Sequence, residues 1–485
     1  MEEERTGGQG SSLRRRPQEE HPLEGGLAKG LASNTISRRG ALKLLGGTAL
    51  GLLVLPVLPS TALGAGTLQP ALKTSSLGTF SGVQYVQYDG LFVGETSRGN
   101  YRVPYRISAP ANPRRANRTV LVEPPHFAAG TELGNSSLGR PYLFGRRFLH
   151  ASVAYSTASL GEPSMLGSIL DPVTQDSFFI DGGVVLPGED GLGDDEIIID
   201  FARALASDPV AQTLMGAVKQ RYLAGLSQSA QAVKRIVASG QAEGVFDLVV
   251  PVTTDNIENL LAANDPQKAI ADGRYSGKVI TVQSEFEWPA GRTLEDRGDS
   301  PDQYRSFFVA GTPHVPDYLC SPHFANKTTP AGWQPALRAH FLQGHAWVTK
   351  GEVPPTSTRL ATTTIGGVTE VIAHDATGNA QVVDITGKPA PRLPYVELGE
   401  AKFTTGFTGT YAPQPPPTIE QLGFSGFNEY LAKFEAALDA QVQDGYMLDE
   451  DAQVLLKRAG LSSPATFTEN YFARYEEFQS GEYCP

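Results

Sequence analysis

Short apolar strands alternate with helical segments through the middle of this 485-residue chain, and this alternation constrains the fold most. Residues 245–251, 278–283 and 305–310 are apolar or β-branched runs of strand length. Residues 194–205 begin with Asp-Asp-Glu, which the helix dipole favours in a first turn, and continue with helical spacing. Strand and helix in repeated order predict an α/β fold, with helices on both faces of a mainly parallel sheet.

Composition agrees with a folded protein of enzyme size and disfavours a nucleic-acid-binding one. The hydrophobic fraction of 40% and the charged fraction of 19% are typical of chains that form a core. The net charge is −12, and no basic stripe follows residue 65. Because a phosphate backbone is bound by clustered Lys and Arg, we expect no nucleic-acid partner.

The N-terminus predicts export from a bacterial cell. Arg38 and Arg39 precede an apolar run over residues 44–63, a pattern that resembles a twin-arginine signal. Small residues at 62 and 64 permit cleavage before Ala65. Glycines and prolines interrupt the run, which favours a cleaved signal over the alternative of a membrane anchor. We expect a periplasmic or extracellular protein that meets the membrane and the export machinery only through this signal.

Changes of pattern along the chain suggest four parts. Residues 1–64 are the signal, and residues 65–80 form a Gly/Ser-rich linker. Residues 81–319 hold the alternating strands and helices and are predicted to be the core. Residues 320–485 include a proline-rich bridge and a helical tail, and we expect them to form a cap and a C-terminal segment packed on the core.

The two cysteines, Cys320 and Cys484, allow one disulfide in an exported chain, with two free thiols as the alternative. Neither cysteine has a Cys-x-x-Cys partner. Histidines and carboxylates also lack the spacing of a metal site, and no glycine-rich phosphate loop follows a strand. We therefore expect neither a metal nor a cofactor.

Residues 225–229 (Gly-Leu-Ser-Gln-Ser) lie between a brief apolar strand and a helical segment, which is the setting of a nucleophile elbow. The tight turn lifts the serine, here Ser227, clear of the sheet. A glycine two residues earlier is needed because the neighbouring chain passes close. Ser229 stands where the commonest pattern has glycine, and a small serine can occupy that place. The alternative is an ordinary serine-rich helix cap.

A serine nucleophile needs a histidine base and an orienting carboxylate, which follow later strands in the order acid, then histidine. Here the next strands run into Glu285 and His314. The sequence therefore predicts a catalytic triad of Ser227, Glu285 and His314. Glu287 is the alternative acid, because a two-residue strand period would place both glutamates on the same side. The alternative is that neither residue is catalytic, with Glu285 a solvated loop acid and His314 a surface-loop histidine.

Backbone N–H groups would stabilise the oxyanion in such a site. Gln228 follows the serine, and its N–H is the first candidate. The second donor usually comes from the loop after an early strand. The strand ending at Glu123 leads into two prolines, which have no N–H, and then into His126 and Phe127. Either of these residues is a candidate for the second donor.

Five blocks and the tail resemble one bacterial family: residues 105–110 (Tyr-Arg-Ile-Ser-Ala-Pro), 119–124 (Thr-Val-Leu-Val-Glu-Pro), 225–229, 283–287 (Gln-Ser-Glu-Phe-Glu), 310–314 (Ala-Gly-Thr-Pro-His) and 445–451 (Gly-Tyr-Met-Leu-Asp-Glu-Asp). The family is the α/β-hydrolase domain-containing proteins, many of them exported. The resemblance implies the α/β-hydrolase fold with Ser227, Glu285 and His314 as the triad, and it supplies no substrate. Family members tend to have Thr-Glu-Thr-Asp within the fourth block, so Glu287 stays an alternative acid.

These observations together predict an exported serine hydrolase that cleaves a carboxylic ester of a small molecule through an acyl-enzyme. A peptidase, amidase or lactonase with the same triad is the alternative among enzymes. A non-catalytic binding protein that retains the hydrolase fold is the alternative outside them, because a fold does not determine a function.

Overall fold

The computed structural model describes most of the chain between residues 66 and 461. The described residues are 66–125, 138–156, 185, 194–254, 265–288, 300, 302–314, 329, 331–365, 368–407, 409–412 and 418–461. Six residues with an expected role in export, oxyanion binding or a disulfide lie outside these ranges: Arg38, Arg39, His126, Phe127, Cys320 and Cys484. In the described part of the chain, no helix combines the length and the hydropathy needed to cross a membrane.

A mixed sheet forms the centre of the fold. Its strands are β1 (Thr67–Leu68), β2 (Lys73–Phe80), β3 (Val83–Thr96), β4 (Gly99–Pro110), β5 (Thr119–Val122), β6 (Leu149–Val153), β7 (Gln220–Leu226), β8 (Leu248–Val252), β9 (Lys278–Ser284) and β10 (Tyr304–Val309). They follow the order β1-β3-β4-β6-β5-β7-β8-β9-β10, and β2 also pairs with β3. Pairing is antiparallel from β1 to β6 and parallel from β6 to β10.

Helices cover both faces of this sheet. They are α1 (Arg140–Gly145), α2 (Asp195–Ser207), α3 (Pro209–Met215), α4 (Gln228–Ala238), α5 (Pro266–Ala271) and α6 (Gln334–Lys350). One hydrophobic cluster joins α2, α3, α4 and α5 to the sheet, and a second cluster joins α1 and α6 to it. The predicted α/β class, with helices on both faces of a mainly parallel sheet, is confirmed.

Local sequence explains why the central elements form. Strands β5, β7 and β8 have apolar side chains on both sides because helices bury both faces of a parallel sheet. Helix α2 begins after Asp194, whose carboxylate accepts the N–H of Glu196 at 3.0 Å. Its next residues are acidic, as expected for the positive end of the helix dipole.

The chain after α6 builds a smaller region with its own core. Its elements are β11 (Thr358–Leu360), β12 (Thr362–Ile365), β13 (Val368–Ile372), β14 (Val382–Asp384), α7 (Pro394–Glu397), β15 (Lys402–Thr404), β16 (Thr410–Ala412), α8 (Phe427–Gln443) and α9 (Asp449–Leu461). The strands pair as antiparallel couples, β11 with β14, β12 with β13 and β15 with β16. A third hydrophobic cluster, which includes Tyr395, Tyr430 and Leu455, packs beneath them.

Two segments differ from the parts expected from sequence. Residues 65–80, expected to be a linker, include β1 and β2, which pair with β3. The polar residues of β2 suit a strand exposed at a sheet edge, so their composition resembled that of a loop. Helix α6, expected in the cap, lies on the sheet: a Cβ added to Gly344 would meet Leu248 at 2.8 Å.

A buried ion pair joins the C-terminal tail to the central sheet layer. Arg338 of α6 donates three hydrogen bonds of 2.5–3.0 Å to Asp451 of α9, and both side chains are almost fully buried. Tyr142 of α1 donates its hydroxyl to the Arg338 carbonyl at 2.5 Å. One arginine therefore connects three helices from distant parts of the chain.

We expect Asp451→Ala to lower the free energy of unfolding by about 3–5 kcal/mol, because it removes the carboxylate that accepts three hydrogen bonds from a buried guanidinium. Urea denaturation measures the change. The matched control is Glu450→Ala on the same helix, which removes a half-exposed ion pair with Arg146. That change should cost less than about 1 kcal/mol. Equal losses in the two variants would contradict the prediction.

Candidate active site

Strand β7 turns into helix α4 at a single residue, Ser227. Its backbone φ of 53° and ψ of −116° lie outside the regions that non-glycine residues usually adopt. The Ser227 N–H donates to the Val252 carbonyl of β8 at 2.9 Å, and the Ser227 carbonyl accepts the N–H of Gln231 at 3.2 Å. The side chain is only partly buried, so its hydroxyl is accessible beyond the carboxyl end of the strand.

Gly225 and Ser229 make this sharp turn possible. A Cβ on Gly225 would lie 2.7 Å from backbone atoms of Ser229 and Ala230, so only glycine fits where the helix passes the strand. The Ser229 hydroxyl accepts the N–H of Leu226 and donates to the carbonyl of Leu226, both at 3.0 Å. The departure from glycine at position 229 is thus accommodated by two hydrogen bonds that close the turn.

Three side chains from different strand ends form a chain of hydrogen bonds. His314 Nε2 lies 2.7 Å from Ser227 Oγ, and His314 Nδ1 lies 2.5 Å from Glu287 Oε1. A carboxylate can only accept, so Nδ1 carries the proton and Nε2 is free to accept from the serine. Glu287 is fully buried and His314 is 8% exposed, so little water screens these contacts.

The carboxylate that meets the histidine is Glu287, and the first choice from sequence, Glu285, is wrong for that contact. Glu285 accepts the N–H of Gly311 at 2.7 Å and the hydroxyl of Thr405 at 3.3 Å. The reason is local: residues 285–287 form a 3-10 turn instead of continuing the strand. At about 120° per residue, the two glutamates point in different directions, not to the same side.

The loop that follows β10 and ends in His314, residues 310–314, is the histidine loop, and several neighbouring groups hold it in place. The backbone N–H of His314 donates to the Gly406 carbonyl at 3.0 Å. The backbone carbonyl of His314 accepts from the indole N–H of Trp333 at 3.3 Å. Phe407 stacks on the imidazole with ring centroids 5.1 Å apart, and Phe286 approaches it edge-on at 6.0 Å. Sequence reasoning missed Gly406 and Phe407, since their short hairpin lies more than 90 residues after the loop that it contacts and carries no motif.

One oxyanion candidate can be located in the structure. Gln228 is the first residue of α4, so its N–H has no partner four residues earlier within the helix and lies beside Ser227. The two other candidates lie outside the described residues. Within the described ranges, no three His, Cys, Asp or Glu side chains are grouped so as to hold a metal ion.

We expect Gly225→Ala to lower the free energy of unfolding by about 1–3 kcal/mol, because the added methyl group meets backbone that cannot move aside. Chemical denaturation measures this loss. Gly426→Ala is the control: its backbone is extended and a Cβ there would meet nothing within 4 Å. The control should change stability by less than about 0.5 kcal/mol. A Gly225 variant as stable as the control would refute the close approach.

Burial gives Glu285 a pH-dependent effect on stability. Desolvation raises the pKa of Glu285 above its ordinary value, although the Gly311 N–H opposes the shift. A raised folded pKa means that the ionised form is disfavoured in the folded state, so stability is lost as pH rises through that pKa. Glu285→Gln cannot ionise. Its free energy of unfolding relative to wild type should therefore increase from about pH 4 to about pH 7, measured by urea denaturation.

Glu429→Gln is a control of opposite sign. Hydrogen bonds from the Ser425 hydroxyl and backbone N–H lower the pKa of Glu429. The wild-type residue therefore gains stability as pH rises, and the stability of the Gln variant relative to wild type should fall over the same range. A parallel pH dependence in the two variants would contradict the assignment for Glu285.

No curated protein matches the chain in sequence. The solved structure of an S-formylglutathione hydrolase from Agrobacterium tumefaciens is 7% identical, with 50% of this chain and 90% of that chain covered and a TM-score of 0.31. A fungal esterase from Rhizomucor miehei is 12% identical, with 55% and 85% covered and a TM-score of 0.32.

A family model gives the firm assignment. The model is that of the alpha/beta hydrolase domain, and it matches residues 86–457, which is more than half of the chain. The family expected from the blocks in the sequence is thus confirmed, and the matched range covers the central sheet from within β3 to β10 and most of the smaller C-terminal region. The protein belongs to the alpha/beta hydrolase domain family.

Proposed function

We propose that this protein is a serine hydrolase that cleaves carboxylic esters through an acyl-enzyme on Ser227. The observation that carries the proposal is the hydrogen-bonded chain from Ser227 Oγ through His314 to Glu287 at one edge of the sheet. Family membership supports the same reading. A binding protein would not require a serine, an imidazole and a buried carboxylate in this order.

The geometry supports a two-step reaction. His314 Nε2 takes the proton of Ser227 as its oxygen attacks the ester carbonyl, and buried Glu287 stabilises the imidazolium that forms. The Gln228 N–H, at the start of α4, stabilises the negative oxygen. Nε2 then gives the proton to the departing alcohol. Water attacks the acyl-enzyme by the same route, which releases the acid and regenerates the serine.

We also propose that the protein is exported by the twin-arginine route. Arg38 and Arg39 before an apolar run of signal length support this proposal. Replacing both arginines by lysine should retain the protein in the cytoplasm of a bacterial host, and cell fractionation would detect the change. Unchanged export would contradict it.

Labelling and kinetics test the proposed chemistry. A serine-directed fluorophosphonate should modify Ser227 in the wild-type protein and leave Ser227→Ala unmodified. Glu287→Gln should lower kcat on simple esters about 10²- to 10⁴-fold. The neutral amide no longer holds the imidazole in the tautomer with the proton on Nδ1, and it no longer stabilises the imidazolium. Ester hydrolysis rates and mass spectrometry of the labelled peptide are the measurements.

Glu285→Gln is the matched control, since it makes the same chemical change two residues away. Glu285 contacts Gly311 and Thr405 and does not contact the imidazole, so kcat should fall less than about tenfold. A larger loss in this variant than in Glu287→Gln would reverse the assignment of the acid. Hydrolysis of amides in preference to esters would favour an amidase, and absence of labelling in the wild type would favour a non-catalytic protein.

A further inference from the structure

Phe407 is unusual among the described side chains because it is both apolar and exposed beside the proposed catalytic histidine. It is 45% exposed, and the other exposed large hydrophobic residues of the described chain, Leu72, Val185 and Val353, are all aliphatic. One face of the ring stacks on the His314 imidazole with an interplanar angle of 26°. The remaining surface of the ring is exposed to solvent beside His314, the residue that hydrogen-bonds to Ser227.

The backbone on either side fixes Phe407 in this position. The Gly406 carbonyl accepts the N–H of His314, and the Thr405 hydroxyl donates to Glu285, which also holds Gly311. The segment is therefore held beside the ring at two points, directly by the His314 backbone and indirectly through Glu285, which also accepts from Gly311. An aromatic side chain held this way keeps its exposed surface in one place, which suits contact with a ligand.

Reaction chemistry indicates which part of a substrate would meet this ring. The alcohol oxygen takes its proton from His314 Nε2, so it must come within hydrogen-bonding distance of that nitrogen, about 3 Å. The Phe407 ring centroid lies 5.1 Å from the imidazole centroid. A substituent on the alcohol oxygen is therefore within reach of Phe407, whereas the acyl chain extends from the carbonyl carbon at Ser227.

We propose that Phe407 is a specificity-determining residue that selects esters with an apolar, preferably aromatic, alcohol portion. This inference rests on the proposed function and adds the substrate class on the leaving-group side. Aromatic rings pack favourably against Phe in stacked or edge-on arrangements, and the exposed ring surface is removed from water on binding. Phe407 is not proposed to select the acyl chain, whose recognition we assign to other residues of the site.

Two substrate series separate the alcohol from the acyl side. With acetyl constant, kcat/KM is compared for benzyl acetate and ethyl acetate; with ethanol constant, it is compared for ethyl butyrate and ethyl acetate. Phe407→Ala should lower the benzyl-to-ethyl ratio about three- to tenfold and leave the butyrate-to-acetate ratio unchanged. Phe407→Trp should keep the benzyl preference at or above the wild-type level.

Leu72→Ala is the matched control, since Leu72 is 60% exposed and precedes β2, at the far side of the sheet from β10. Neither ratio should change in this variant. An equal loss of kcat/KM for all esters in Phe407→Ala would mean that the ring only positions His314, and would overturn the inference. A changed butyrate-to-acetate ratio, or no change at all, would overturn it as well.

Labelling distinguishes this failure from failure of the proposed function. Diisopropyl fluorophosphate should modify Ser227 in the wild type, in Phe407→Ala and in Leu72→Ala. Labelled wild-type protein without a benzyl preference would overturn only the role of Phe407. Wild-type protein that is neither labelled nor active on any of the four esters would overturn the hydrolase proposal, and the inference with it.

Discussion

The turn from β7 into α4 is the constraint on which the rest of the site depends. A non-glycine residue at the backbone angles of Ser227 costs on the order of 1–3 kcal/mol and persists only where the surroundings determine it. Those surroundings are the hydrogen bond to Val252 in the next strand and the contact of Gly225 with the start of the helix. Packing of strand and helix thus stabilises the strained residue, and the strain directs its hydroxyl out of the sheet.

Parallel pairing then brings the other two side chains to the same edge. Glu287 follows β9 and His314 follows β10, so both lie near the carboxyl ends of strands, as Ser227 does after β7. Between β7 and β10 there are three inter-strand spacings, about 14 Å. To bring His314 to Ser227, the histidine loop must therefore extend across the ends of β9 and β8. Trp333 and Gly406 both hydrogen-bond to the backbone of His314 and hold the end of this loop.

Sequence predicted the features that depend on local pattern and strand order. The fold class and the positions of Ser227 and His314 after their strands follow from apolar runs and from Gly-Leu-Ser-Gln-Ser, and the family was indicated by the resemblance of several sequence blocks together. Sequence could not separate Glu285 from Glu287, because a two-residue strand period would place both on the same side, whereas the chain forms a 3-10 turn there. The contact of Phe407 with His314 could not be predicted, because nothing in the local sequence near residue 407 indicates which distant part of the chain it packs against.

The C-terminal region is therefore part of the site's architecture and not an appendage. Its residues 405–407 contact the histidine loop through Glu285, through the His314 N–H and through the imidazole ring itself. Its helix α9 is held to α6 by the buried Arg338–Asp451 pair, and α6 in turn packs on β8 and β9. Trp333 at the start of α6 donates a hydrogen bond to the His314 carbonyl, so a displacement of α6 would also shift His314. The central sheet supplies the three side chains, but their alignment requires the chain that follows them.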